Sequence, residues 1–399
     1  MGRPGQAVHH RRQGRRAGGR LRQAGRAGED AHAGRDLAGR ADPVATAAPG
    51  PEGRAPPAGE REATTERSST TNRHDESEVV PVRQIRGMVP VIPIPFREDE
   101  SVDRDGLAAL CAFAADRDVG AACLPAFASE FYKLSADERG EAVQVAVKAV
   151  GGRIPIVGQA NHGSARLAAE LARANQKAGA SVVSVALPRT FAYTEADLLD
   201  FARTVGQAID VPLLVQDWNP AGPSVGADFC ARLHEACPNF RYVKLEEAGM
   251  GPKVRQIRSA CGDRVGVLEG WGGEHMLELF PAGIVGIMPG LALIDVLGRV
   301  WDLAHAGEMT AAYTLFAQVH TWIAFSLRSV ESLNYLEKTL LVRRGVLRAS
   351  HVRRPTVTLD PDSQAYADLL VERMLAVVAA LPAPSAAGRP AGRRQGCQG

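Results

Sequence analysis

Lys244 is the residue whose setting most invites chemistry. It lies in Phe240-Arg241-Tyr242-Val243-Lys244-Leu245-Glu246-Glu247, a short apolar run with charge at its end. A lysine inside such a run is costly, because burial disfavours a charged side chain. The same cost serves catalysis, since a desolvated ammonium gives up its proton more readily and the neutral amine attacks a ketone. The chain has six lysines: Lys133, Lys148, Lys177, Lys244, Lys253 and Lys338. Lys148, Lys177, Lys253 and Lys338 fall in helix-period patterns that read as solvated faces, and Lys133 falls in a loop. Lys244 alone falls in a strand. Glu246 follows it by two and so shares its face. An edge-strand lysine facing water is the plain alternative, and the local pattern leaves both readings open.

The elements that must position Lys244 are legible as an alternation. From Gly87 onward, short apolar runs alternate with longer helix-period segments. The runs are Met88–Pro93, Gly120–Leu124, Ile154–Gly158, Ser181–Leu187, Pro212–Gln216, Tyr242–Leu245, Val265–Glu269 and Ile284–Met288. They are rich in Val, Ile and Ala without strict polar alternation, as strands buried on both faces should be. Ser135-Ala136-Asp137-Glu138 is a capping box, Thr194-Glu195-Ala196-Asp197 is a related helix start, and Gly151 and Gly179 sit where C-terminal caps belong. Eight strands alternating with helices predict a (β/α)8 TIM barrel over residues 81–306. A doubly wound open sheet competes, but Pro93-Ile94-Pro95-Phe96 stands where its glycine-rich phosphate loop would be. Additional C-terminal helices are expected at Met309–Arg328, Glu331–Val346 and Ser363–Leu381, forming a helical subdomain over residues 307–382.

Composition bounds the rest. The 399 residues are 45% hydrophobic and carry a formal net charge of +2, which disfavours a dedicated nucleic-acid binder. No apolar run is long enough to span a bilayer. Six scattered cysteines form no CxxC pair, and buried free thiols in a cytoplasmic setting fit them. No His/Asp/Glu cluster has metal-ligand spacing, so neither metal nor cofactor is called for. The first eighty residues contain no Phe, Trp, Tyr, Ile or Lys, and are rich in Arg, Gly, Ala and Pro. Such a composition predicts a disordered extension over residues 1–80. A start nearer Met88 is one account of it, and a weak nucleic-acid tether through the arginines is another. Residues 383–399 read as a disordered tail.

In a barrel of this kind, chemistry sits at the C-terminal ends of the strands. That rule selects Pro125-Ala126-Phe127-Ala128-Ser129-Glu130 after strand two, Gln159–His162 after strand three and Pro188-Arg189-Thr190 after strand four. It also selects Gln216-Asp217-Trp218-Asn219, Lys244 with Glu246, and Glu269-Gly270-Trp271-Gly272-Gly273. His162 stands alone and reads as a loop cap.

Here a resemblance becomes specific. The region from Arg86 to Val346 resembles the dihydrodipicolinate synthase/N-acetylneuraminate lyase family, barrels that use a lysine Schiff base. Four segments carry it: Pro95-Phe96 with Val102-Asp103; Ala126–Glu130 with Leu134-Ser135 and Glu138-Arg139; Val243-Lys244; and Gly283–Gly286. The resemblance makes Lys244 the catalytic amine, with no external cofactor and a homo-oligomer, commonly a tetramer. Departures matter as much. The family's Thr-Thr pair is Phe127-Ala128 here, its strand-five tyrosine is replaced within Val215-Gln216-Asp217, and its tyrosine pair after strand four is Arg189-Thr190. The arginine that the synthases place after strand five is missing from Pro220–Ser224. These segments are similar to the 2-keto-3-deoxy sugar-acid branch, the L-2-keto-3-deoxyarabonate dehydratase-like enzymes.

The resulting expectation is a lyase acting on a small 2-oxo acid. Lys244 forms an iminium at C2, a base takes a C3 proton, and the C4 hydroxyl leaves. C3–C4 cleavage would make the enzyme an aldolase instead, and dihydrodipicolinate synthesis is a further alternative. Glu246 is expected to move the proton and Gln216 to fill the tyrosine's space and hold hydroxyls. Ser129 and the turn at Ala128 would hold the substrate carboxylate, with Asp217, Arg189 and Trp271 lining the pocket. A catalytically silent barrel used for binding is the reading from another class.

Overall fold

The computed structural model describes residues 84–382, and the expectations for residues 1–80 and 383–399 lie outside the described residues. Eight strands form one parallel sheet: β1 Gly87–Met88, β2 Ala122–Leu124, β3 Ile156–Gln159, β4 Val182–Ala186, β5 Leu213–Asp217, β6 Phe240–Leu245, β7 Gly266–Glu269 and β8 Gly286–Ile287. Their order is β1-β8-β7-β6-β5-β4-β3-β2. The ring closes where Val91 bridges in parallel to both Cys123 and Gly290. Backbone bonds from Gly120 N–H to Met88 C=O at 2.7 Å and Cys123 N–H to Pro90 C=O at 2.9 Å seal the seam. The fold is a (β/α)8 barrel. Strand β1 is shorter than the expected Met88–Pro93 because Pro90 and Pro93 lack the N–H that a regular ladder uses.

Around the ring run α1 Arg104–Ala115, α2 Ala136–Val150, α3 Ala165–Lys177, α4 Glu195–Gly206, α5 Ala227–Ala236, α6 Gly251–Cys261, α7 Met276–Leu279 and α8 Ile294–His305. Both helix starts read from sequence are complete capping boxes, Ser135 with Glu138 and Thr194 with Asp197. Gly151 ends α2 in the left-handed conformation at φ 55°. Helix α7 is a single turn, continued by the 3-10 turn Phe280–Ala282. After α8 come α9 Met309–Ser326, α10 Val330–Arg343 and α11 Pro361–Ala379. One hydrophobic cluster joins the strand–helix layer to Trp322, Leu336, Leu340, Leu370 and Met374 of these last helices, so residues 307–382 share the barrel's core. Five described cysteines, Cys111, Cys123, Cys230, Cys237 and Cys261, are buried and free.

A second, smaller cluster fills the barrel interior with Val91, Cys123, Val157, Val182, Leu214, Tyr242, Leu268 and Met288. Side chains alternate along a strand, so Gln159, Ser184, Gln216, Lys244 and Gly270, each two residues further on, also point inward. The strands tilt, and equal height shifts by one residue per strand. Applied to the observed register, this places Cys123, Ser184, Lys244 and Met288 in one layer. Val91, Gln159, Gln216 and Gly270 lie in the next layer toward the C-terminal ends. Ala186, Glu246 and Gly290 lie above those.

Candidate active site

Lys244 sits near the end of β6, only 6% exposed. Its Nζ lies 2.9 Å from Glu246 Oε1. The Nε2 of Gln216 donates to the same oxygen at 2.5 Å, and Gln216 Oε1 accepts from Gln159 Nε2. The four side chains form one chain of hydrogen bonds, Gln159–Gln216–Glu246–Lys244, across strands β3, β5 and β6. Its direction is set by chemistry. A carboxylate only accepts, so Gln216 turns its amide NH2 toward Glu246 and its carbonyl toward Gln159. Gly270, across β7, makes room for this group. A Cβ there would stand 2.5 Å from Glu246 Cγ and 2.7 Å from Lys244 Cε.

The turn after β2 closes one side. It is a 3-10 turn, Phe127–Ser129, followed by Glu130 in the left-handed conformation at φ 58°. Ser129 is fully buried, and its hydroxyl donates to the Ile92 carbonyl at 2.6 Å. To hold a substrate carboxylate as expected, this hydroxyl would have to give up that bond, because its one hydrogen is already used. Ser129 N–H is also used, bonding Ala126 C=O at 3.0 Å. The N–H of Ala128 donates to no protein group among the described residues, as befits the first turn of a helix. Phe127, in the same turn, stacks edge-on to Trp218 after β5, with ring centroids 5.4 Å apart.

Asp217 has protein partners as well. It follows Gln216 and so faces away from the barrel interior, fully buried. Its two oxygens accept a bidentate pair of bonds from Arg189 at 2.8 and 2.6 Å, and Oδ2 also accepts from Val225 N–H. The pair ties the loop after β4 to the loop after β5. Arg189 keeps an Nη1 that this pairing does not use. Trp271 is half-buried, and its N–H bonds Glu269 Oε1 at 3.0 Å. Glu269 receives Gly273 N–H as well, and its burial pushes the carboxyl up to about 7. It shapes the glycine loop from the outer side of β7. His162 caps its loop as expected, with Nδ1 accepting from Ser164 N–H.

Two features escape the strand-end rule. Ser184 is an inward-facing polar residue in an apolar strand; the signal was the alternation Val182/Ser184. The other feature is Lys338 on α10, read from sequence as solvated. It is fully buried, its Nζ bonding Glu130 Oε1 at 2.5 Å and His351 C=O at 3.0 Å, over the face of Phe96. Lys133 reaches the other Glu130 oxygen at 2.9 Å.

By fold, the chain is a (β/α)8 barrel with a buried amine and a half-buried carboxylate at the C-terminal ends of its strands. It belongs to the Dihydrodipicolinate synthetase family, whose model matches residues 84–373. Membership makes it an enzyme of the lyase type. It is similar to the L-2-keto-3-deoxyarabonate dehydratase of Azospirillum brasilense, 28% identical over 72% of this chain and 94% of that protein. It is 25% identical to the 4-hydroxy-tetrahydrodipicolinate synthase of Chlorobium phaeobacteroides over 71% of this chain and 94% of that one. Among solved structures, the 4-hydroxy-tetrahydrodipicolinate synthase of Methylacidiphilum fumariolicum superposes with a TM-score of 0.68 at 21% identity, over 74% of this chain and 98% of the other. The N-acetylneuraminate lyase of Fusobacterium nucleatum superposes at 0.65 and 17%, over 73% and 99%. Among the described residues, no helix is long and apolar enough to cross a membrane.

Proposed function

We propose that the chain dehydrates a 2-keto-3-deoxy sugar acid through a Schiff base on Lys244. The observation that carries this reading is the hydrogen-bonded chain Gln159–Gln216–Glu246–Lys244 on the inner face of the strands. Lys244 adds as the neutral amine to the C2 ketone, and loss of water gives an iminium. The iminium withdraws electrons and acidifies C3–H. Glu246 takes that proton, leaving an enamine. The enamine's electron pair expels the C4 hydroxyl, which leaves as water with the proton Glu246 returns. This leaves an iminium conjugated to a C3=C4 double bond. Loss of a C5 proton and return of a proton at C3 turn C4–C5 into an enol. Water then hydrolyses the imine and frees the lysine, and the enol tautomerises to the aldehyde of a 2-oxo semialdehyde. Glu246 suits both proton steps because it touches the amine and is oriented by Gln216. The dehydratase relative at 28% identity supports this choice over carbon–carbon cleavage.

The substrate carboxylate is placed at the free Ala128 N–H, with Arg189 Nη1 as a second contact and Phe127, Trp218 and Trp271 as apolar walls. No further cofactor enters this scheme. A homo-oligomer is the expected assembly, and the buried free thiols favour a reducing, cytoplasmic compartment.

Borohydride trapping tests the scheme. Wild-type enzyme with 2-keto-3-deoxypentonate should gain a reduced adduct on Lys244, and the products should include a 2-oxo semialdehyde. Pyruvate plus an aldehyde would assign an aldolase instead. No adduct with any 2-oxo acid would leave a silent barrel. A Glu246→Gln variant should still be trapped with pyruvate while turnover falls about 10²- to 10⁴-fold, the usual worth of a positioned acid–base group.

A further inference from the structure

Five buried side-chain atoms among the described residues have no hydrogen-bond partner: Gln159 Oε1, Asn161 Nδ2, Asn175 Nδ2, Ser184 Oγ and Asn334 Oδ1. Three of the five belong to β3, β4 or the segment leaving β3, on one sector of the barrel. Ser184 occupies the Lys244 layer and Gln159 the layer above it. Asn161, two residues beyond Gln159, uses its Oδ1 on Ala186 N–H and leaves its NH2 free. Unpaired polar atoms rising up one wall beside a reactive amine are expensive to fold and are the mark of a site that awaits a partner.

The chemistry of the partner can be read from the atoms. Gln159 Nε2 is fixed on Gln216, whose own orientation is fixed by Glu246. The atom left on Gln159 is a carbonyl oxygen, which accepts and cannot donate. A carboxylate, ketone or aldehyde oxygen cannot satisfy it, whereas a hydroxyl can. Ser184 both donates and accepts, as a second hydroxyl requires. We propose that Gln159 and Ser184 bind hydroxyl groups along the substrate chain and so select polyhydroxylated 2-oxo acids over plain ones. The proposal rests on the Schiff-base reading above, since Lys244 must hold C2 for the chain to lie along β3 and β4.

The test compares 2-keto-3-deoxypentonate with 2-oxopentanoate, a chain of equal length without the hydroxyls. The readout is the ratio of their kcat/KM values for borohydride-trapped adduct formation on the full chain. Wild type should favour the hydroxylated acid. Ser184→Ala and Gln159→Met should each lower that ratio about tenfold, the discrimination one hydrogen bond to a substrate hydroxyl supplies. Ser184→Ala removes an oxygen that bonds to nothing among the described residues, so it should melt no lower than the parent. A purely structural role would move both rates together; an unchanged ratio in both variants overturns the proposal. Absence of any adduct on wild-type Lys244 is a different failure, which overturns the Schiff-base reading and this proposal with it.

Discussion

Two lysines, Lys244, the proposed nucleophile, and Lys338, are both buried, and their surroundings differ. Lys338 is fully enclosed, with a carboxylate, a carbonyl and an aromatic face around its ammonium. Burial pulls it down to about 8, while Glu130 works against that pull. Its donors are met, so it has nothing left for a ligand. Lys244 keeps 6% of its surface and has one protein partner among the described residues, Glu246 Oε1, which Gln216 shares. A lysine with unmet hydrogen-bonding capacity is free to take the proposed chemical role, whereas a saturated one holds structure. Burial alone would not have separated them.

Exchanging the roles of the two residues breaks the comparison most sharply. Lys244→Ala should abolish adduct formation and cut turnover by roughly four orders of magnitude or more, as loss of a nucleophile does, with the urea midpoint little changed. Lys338→Met should do the reverse. It leaves Glu130 buried with only Lys133 opposite, and should cost about 3 kcal/mol of stability in urea unfolding. Adduct formation should persist below the new midpoint. Loss of trapping in the folded Lys338 variant would mean that the turn at Phe127–Glu130 depends on α10 for its catalytic geometry.

The contrast also explains what could be read in advance. Eight apolar runs separated by capped helices give a barrel by period alone, and the strand-end rule led to Lys244, Glu246 and Gln216. The rule also took in Asp217, because it collects every residue near a strand end, while alternation sends Gln216 inward and Asp217 outward. Lys338 was misread for a different reason. Helix α10 is buried on two faces, an apolar one at Leu336, Leu340 and Leu341 and a polar one at Asn334, Glu337 and Lys338. A polar stripe at that spacing reads as solvated. Its partners, Glu130 for Lys338 and Ala292 N–H for Glu337, are far away in sequence, so no local pattern could reveal them.

A gentler change sharpens the comparison from the catalytic side. Gly270→Ala places a methyl against Glu246 Cγ and Lys244 Cε, both side chains that can move. The barrel should hold, but the amine and carboxylate should be displaced by a fraction of an ångström to an ångström. Turnover should then fall on the order of 10²-fold. The melting temperature should move far less than in Lys338→Met. A large loss of stability with turnover intact would show that Gly270 serves the fold and not the geometry of Lys244.

The smallest effect is a slope, and it belongs to the structural region. Glu337, beside Lys338 on α10, has a different partner and accepts Ala292 N–H at 2.8 Å. A Cβ on Gly290 would meet its carboxyl at 2.3 Å, so the glycine makes its place. Burial raises its carboxyl to about 7 from an ordinary 4.5. Between those values the folded protein holds a proton that the unfolded chain has released. Stability from this group is therefore complete below pH 4.5, falls as pH rises to about 7, and is flat beyond. One proton limits the slope to about 1.4 kcal/mol per pH unit. Glu269 has the same sign and window. Glu337→Gln cannot titrate and keeps an acceptor for Ala292, so urea midpoints measured from pH 4.5 to 8 should decline less steeply in the variant than in the parent. Parallel curves would mean that Glu337 is ionised throughout, with Arg344 holding its charge.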